Sequence, residues 1–178
     1  MTQDLRNVTD ELKGKEHNEI VKILDSRGVE LEIAIENLER DFNMGTIVRS
    51  ANAFGVRHVH VIGRRQWNKR GAMATDKYLH VYYHASVSEF SQAMAARERE
   101  IVAIDNVPGS KELNSVVLPQ NAVLVFGAEG PGLSDELLEI ASRTVAIEQL
   151  GSTRSVNVGV AAGIVMYRWL QEWQLDKP

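Results

Sequence analysis

Apolar alternation and runs of β-branched residues predict strands over Val29–Ile35, His58–Ile62, Tyr78–Tyr83, Ile101–Ile104, Val123–Phe126 and Thr144–Ile147. Most are short and apolar on both sides, as strands covered on two faces are. Between them the apolar spacing turns helical, over Glu16–Asp25, Met44–Phe54, Val87–Arg99, Asp135–Ala141 and Ser155–Trp173. Strands and helices thus alternate, which predicts an α/β domain with a mainly parallel sheet. Ser86 and Ser134 stand where a hydroxyl caps the helices that follow, and Gly55 stands where a left-handed residue ends one. The last helix is apolar around most of its girth, through Val158, Val160, Ala161, Ala162, Ile164, Val165 and Trp169, so it is expected in the core or against a partner subunit.

Three glycine-punctuated stretches follow strand ends. The first runs from Asn37 through Asn43, Gly45 and Arg49 to Gly55; on local chemistry alone, Asn43 caps a helix and Arg49 solvates its face. The second, Phe126-Gly-Ala-Glu129-Gly-Pro-Gly132-Leu-Ser134, lets a ligand approach backbone without a side chain in the way. Its spacing matches neither a dinucleotide fingerprint nor a phosphate loop, and no Lys follows the last glycine. The third, Ile147-Glu-Gln-Leu-Gly-Ser-Thr-Arg-Ser155-Val-Asn157, is again strand, polar loop and helix. Loops at the carboxyl ends of parallel strands gather at one edge, so the three are expected to meet at one site.

Taken together, the stretches resemble the three motifs of the SpoU (TrmH-like) branch of the SPOUT RNA methyltransferases, across roughly Leu31 to Leu170. The resemblance rests on the Asn43–Arg49 spacing, the Phe-Gly-x-Glu-Gly-x-Gly-Leu core and Ser155-Val-Asn157. It implies a SPOUT-type α/β domain over 31–174, helices on both faces of the sheet and a C-terminal trefoil knot, with residues 1–30 as a helical extension. It also implies methylation of a ribose 2′-hydroxyl of RNA from S-adenosylmethionine by a homodimer, with the last helix at its interface. Ile104, Asp105, Gly127, Gly132, Ile147, Ser155 and Val156 would hold the methyl donor, and Arg49, Asn43, Glu129, Ser155 and Asn157 would serve the chemistry. Glu148 stands where many relatives have proline, which leaves the fold intact and the substrate less determined. The stretch from Gly63 to Asp76 is similar to guanosine-methylating tRNA enzymes. Ribosomal RNA remains the alternative substrate, and a silent RNA-binding protein of the same fold the non-enzymatic one.

Composition bears on three of these expectations. The net charge of −4 runs against a nucleic-acid partner, yet Arg57, Arg64, Arg65, Lys69, Arg70 and Lys77 are opposed locally only by Asp76. Arg64, Arg65, Lys69 and Arg70 are therefore expected to contact RNA phosphate, with Trp67 stacking on an unpaired base. The absence of cysteine removes thiolate metal sites and cysteine nucleophiles. His58, His60, His80 and His84 lack the carboxylate or thiolate that usually completes a zinc site, so no metal is expected. No G-x-S-x-G elbow supports a hydrolase. The charged first residues do not form a signal peptide, Val156–Tyr167 is too short to span a bilayer, and a cytoplasmic location without a membrane partner is expected.

Overall fold

A computed structural model describes residues 4–37, 43–127 and 132–175. Seven strands form one sheet: β1 (Glu32–Asn37), β2 (His58–Gly63), β3 (His80–His84), β4 (Glu100–Ile104), β5 (Lys111–Glu112), β6 (Ala122–Phe126) and β7 (Arg143–Ala146). Their order is β3-β2-β1-β6-β4-β7-β5, and every pairing is parallel. Among the described residues five α-helices accompany them: α1 (His17–Ser26), α2 (Met44–Ala53), α3 (Val87–Ala96), α4 (Asp135–Ile140) and α5 (Val158–Leu170), the last running into a wider turn over Gln171–Leu175.

Alternation along the strands sorts side chains to two faces. Ile33, Ile35, Val59, Val61, Leu124 and Phe126 pack with α2 and α5. Ala34, Ile62, Ile101, Ala103, Val123 and Val125 pack with Phe90 and Met94 of α3 and Leu137 of α4. Both faces are covered, as the apolar strands require. Residues before β1 pack separately, Leu12 and Ile20 closing on Tyr78 while His17 stacks on its ring. Among the described residues no helix is long and apolar enough to cross a membrane.

The helices differ from their expected spans where local chemistry intervenes. Ser86 and Ser134 cap α3 and α4 as expected, accepting from Glu89 N and Leu137 N. Gly55 adopts φ 79°, just beyond α2. The third helix stops at Ala96, short of Arg99, because Glu98 turns left-handed at φ 53°. That turn lets Arg97 and Arg99 both reach the buried carboxylate of Glu32. The last helix starts at Val158, not Ser155, because Asn157 caps it, its Oδ1 accepting from Gly159 N and Val160 N at 3.0 and 3.2 Å.

Four of the five histidines lie on β2 and β3, and the structure gives each a structural partner, His58 Nδ1 lying 3.2 Å from the Tyr82 hydroxyl. His60 Nε2 is 2.8 Å from Glu32 Oε2, and His60 Nδ1 is 2.9 Å from His84 Nε2. His80 Nε2 lies 2.9 Å from Asp25 Oδ1. Burial pushes Glu32 up, but the hydrogen bonds of His60 and Arg97 and the charge of Arg99 outweigh it and hold the carboxyl down at about 2. Burial also lowers His84, and it lowers His58 to about 4.

A depressed histidine favours the neutral form in the folded state, so its contribution is complete above the unfolded value near 6.5 and drains away toward pH 4. We expect the protein to lose about 1 kcal/mol of stability between pH 6.5 and 4.5 through His58, allowing for its residual exposure. Glu32 adds its own loss only below about pH 4.5. Thermal melts across this range check the sign, and His58→Phe should flatten the descent; a His58→Phe slope equal to that of the parent would refute the assignment.

Candidate active site

Parallel strands deliver their carboxyl ends to one edge, and the chain leaves β1 for its two neighbours in opposite senses, β2 on one side and β6 on the other. Such a switch point opens a crevice at the carboxyl edge. Here that edge receives the ends of β4, β6 and β7 and the start of α5, which enclose a cavity of about 260 Å³. All seven residues expected to hold a methyl donor line it: Ile104, Asp105, Gly127, Gly132, Ile147, Ser155 and Val156. Asn157 lines it too. Sequence reasoning missed Asn106, Phe126, Val145, Ala146 and Gln149, which share the same walls.

The walls are held by short-range polar ties and close backbone contacts. Asp105 N donates to Val145 O at 3.1 Å, fixing β4 to β7 at the rim. The Asp105 carboxylate accepts from Leu133 N at 2.8 Å and from Asn106 N at 2.7 Å, so it anchors the loop that follows β6. Glu36, buried at the end of β1, accepts from Ser134 N at 2.8 Å and from its hydroxyl, tying the start of α4 to the central strand. Glycine is needed here on steric grounds: a Cβ on Gly127 would lie 2.4 Å from both C and O of Gly132, and Gly132 itself has φ +74°. Asn106 Nδ2 donates to Arg154 O at 3.3 Å, holding the exposed loop over 150–155 beside the opening.

One lining atom is left over. Gln149 Oε1 is buried and has no hydrogen-bond partner among the described residues. An unpaired buried carbonyl costs about 1–3 kcal/mol, and an ammonium or hydroxyl donor on a ligand would satisfy it. Apolar Ile104, Ile147 and Val156, backbone exposed by glycine, and this acceptor suit a ligand with a flat heterocycle and an amino-acid tail, as S-adenosylmethionine has.

Of the residues expected to serve the chemistry, Arg49 stands on α2 with Asn43 at its N-cap, while Ser155 and Asn157 line the cavity itself. Asn43 occupies the N-cap position of α2 but makes no side-chain cap bond; its Oδ1 accepts from Asn157 Nδ2 at 3.1 Å. The capping role read from local chemistry is thus not the one found. Asn157 therefore joins the cavity, the first turn of α5 and Asn43. Arg49 is exposed on α2, on the same stripe as exposed Thr46 and Ala53, and Thr46 faces Gly159 of α5. Arg49 is not part of the cavity wall. Ser155 is exposed at the opening. Glu129 lies outside the described residues.

The basic stretch between β2 and β3 runs beside this helix. Arg64, Arg65, Lys69 and Arg70 are exposed. Asn37 Nδ2 donates to the carbonyls of Arg64 and Gln66, so the stretch is anchored to the carboxyl end of β1. Arg65 lies over Tyr83 at 4.8 Å, and Lys69 pairs with Asp76 at 2.8 Å. Trp67 is half-buried against the core, with Lys69 over its ring at 5.3 Å. Burying the indole beside α2 and β2 leaves less of it for a base than its sequence setting implied.

Comparison with known proteins fits this arrangement. Residues 30–167 match the model of the SpoU rRNA Methylase family. A tRNA (guanosine(18)-2′-O)-methyltransferase of Borreliella burgdorferi is 31% identical over 169 residues, covering 92% of this chain and 74% of that one. A protein of the same name from Thermus thermophilus is 26% identical over 152 residues, 83% of this chain and 78% of that one. The crystal structure of the A. aeolicus TrmH/SpoU tRNA modifying enzyme aligns with a TM-score of 0.78 at 25% identity, covering 90% of this chain and 83% of its own. The matched residues take in all three strand–loop–helix stretches, the second and third lining the cavity and the first tied to it by the Asn43–Asn157 bond, and the chain belongs to the SpoU rRNA methylase family.

Proposed function

We propose that this chain, an S-adenosylmethionine-dependent RNA ribose 2′-O-methyltransferase, acts on a guanosine of tRNA. The observation that carries the reading is the Asn157–Asn43 bond, which joins the cavity to the helix bearing Arg49. The names of the relatives from Borreliella and Thermus support tRNA and guanosine.

S-adenosylmethionine supplies a methyl group on a positive sulfonium, already a good leaving arrangement. The chain's task is aim and charge. Backbone at Gly127, Gly132 and Ile147 and the Gln149 carbonyl would hold the donor, with Ser155 and Val156 closing the opening. Asn43 and Asn157 would orient the ribose, placing its oxygen within reach of the methyl. A guanidinium has donors and no acceptor, so Arg49 would donate to the neighbouring phosphate and to the developing alkoxide; the hydroxyl proton would pass to solvent as the O–CH3 bond forms, the S–CH3 bond breaks and S-adenosylhomocysteine leaves. Glu129 is assigned by resemblance to bracing the loop or the arginine. Arg64, Arg65, Lys69 and Arg70 would grip phosphates farther along the RNA.

The test is transfer of label from tritiated S-adenosylmethionine to unmodified bulk tRNA and, separately, to ribosomal RNA. Label in a tRNA guanosine, retained in an alkali-resistant dinucleotide because a 2′-O-methyl blocks cleavage at its 3′-phosphate, is the expected result. Label confined to ribosomal RNA would move the substrate, and no transfer to either would leave only the silent RNA-binding reading.

A homodimer and a cytoplasmic location belong to the same proposal. Val160, Ile164 and Tyr167 form an exposed apolar stripe on α5, and Phe54 rests against Tyr167. The stripe is what a second copy would cover. Ile164→Glu should give a monomer by sedimentation with most methyl transfer lost; an unchanged dimer would place the interface elsewhere. The knot is supported by the path of the chain. The segment between β4 and β6 passes around β7 to the far edge, while α5 returns from β7 to pack with α2, its Trp169 and, in the wider turn beyond it, Trp173 donating to the carbonyls of Pro119 and Leu118. The catalytic domain is taken as 31–174, with 1–30 as an extension.

A further inference from the structure

The first turn of α2 is pressed from two sides by glycine. On one side stands Gly71 of the basic stretch: a Cβ there would lie 3.0 Å from Thr46 N, 3.1 Å from Gly45 C and 3.2 Å from Thr46 Oγ1. The contact is mutual, since a Cβ on Gly45 would lie 2.7 Å from Ala72 N and 2.8 Å from Gly71 N. On the other side stands Gly159 of α5, where a Cβ would meet Thr46 Cγ2 at 3.1 Å and Thr46 Cβ at 3.3 Å. Neither Gly71 nor Gly159 has a positive φ, so space and not backbone conformation is what calls for glycine at both.

We propose that Gly45, Thr46, Gly71 and Gly159 form a spacing seam that sets the distance between the RNA-gripping segment and the methyl-donor cavity. The inference rests on the RNA methyltransferase reading above and assigns positioning residues to it. Three parts of the site converge on this one helical turn. Arg70 is the residue before Gly71, Arg49 lies one turn along α2 from Thr46, and Asn157, which lines the cavity, lies two residues before Gly159. Between Gly45 and Gly71 backbone meets backbone, which leaves no rotamer slack, and at Gly159 the backbone closes on the short β-branched side chain of Thr46, which has little. Methyl transfer needs the ribose oxygen in line with the methyl carbon, and a misplacement of about 1 Å costs about 100-fold. The seam lies outside the cavity wall, none of its four residues lining it. Its effect should therefore fall on the rate of transfer more than on donor binding.

The experiment uses the full chain, tritiated S-adenosylmethionine and unmodified bulk tRNA, with donor affinity measured by calorimetry. Gly71→Ala and Gly159→Ala are each expected to lower kcat about 10-fold, with donor Kd within twofold of the parent and cooperative melting retained. Thr46→Ser in the Gly159→Ala background removes the Cγ2 methyl that the new side chain meets first, and should recover most of kcat. Parental kcat in both single variants overturns the inference. Loss of kcat in step with donor affinity or with folding, without recovery in the double variant, overturns it equally, since the glycines would then serve the fold alone. Absence of methyl transfer by the parent would instead sink the underlying function.

Discussion

Arg49→Ala is expected to lower kcat for RNA methylation by about 100-fold to 1,000-fold, the range seen when one donor to a developing oxyanion is removed. Donor affinity should stay within twofold, because Arg49 is absent from the cavity wall. Its exposure on the stripe it shares with Thr46 also argues against a folding role, since exposed helical positions contribute little to stability. Arg49→Lys separates charge from geometry: an ammonium keeps the charge and loses the planar fork. Partial recovery by Lys, with the RNA KM closer to the parent than kcat is, fits a group that grips phosphate and stabilises alkoxide together. Single-turnover transfer with excess enzyme reads the chemical step directly. An unchanged rate for Arg49→Ala would remove Arg49 from the mechanism while leaving the enzyme class standing.

The positions that sequence could place are those whose signal is local. Gly127, Gly132 and Ser134 sit at a strand end where glycine density and a capping hydroxyl mark a tight loop, and the structure has them there, lining the cavity or capping α4. The core strands were legible because apolar runs of this length have one plausible place in an α/β domain. Alternation reports which face a side chain takes, and it carries nothing about which strand lies alongside. The position of β6 between β1 and β4 was for that reason unreadable. β5 was missed because two exposed residues, Lys111 and Glu112, have no periodicity to find.

The site was legible as a set of loops and illegible as a set of bonds. Asn43 looked like a cap from its neighbours, yet it bonds to Asn157, 114 positions away. Gln149 carried no motif signal, and only the cavity shows its carbonyl buried there. Glu32 carries no signal within its strand, and the spacing of His60 and His84 raises only the question of a metal, whereas β1, β2 and β3 bring the three into one buried chain of contacts. Gly45 and Gly71 belong to different segments, and no spacing within either one reveals that their backbones touch. Each miss is a long-range juxtaposition, which patterning over a dozen residues does not encode.

Gly127→Ala should disable donor binding with the fold largely retained. The added Cβ would stand 2.4 Å from C and O of Gly132 and 2.7 Å from Leu133 N, all backbone atoms, so no side chain can rotate away to relieve it. Nor can Gly132 and Leu133 shift freely, because Leu133 N is bonded to Asp105 and Ser134 to Glu36. The strain must go into the cavity wall or into those ties, and overpacking of this kind costs about 1–3 kcal/mol. Expressed on the donor, that is a loss of about 10-fold to 100-fold in affinity. Because Asp105 is shared between the loop and the rim of β4, the movement should reach Asn106 as well, whose side chain holds the loop at Arg154. Calorimetry with S-adenosylmethionine reads the affinity, and a thermal melt separates binding loss from unfolding. Parental affinity in Gly127→Ala would mean the donor does not depend on the approach of these two glycines, and the cavity at the carboxyl edge would lose its claim to be the methyl-donor site.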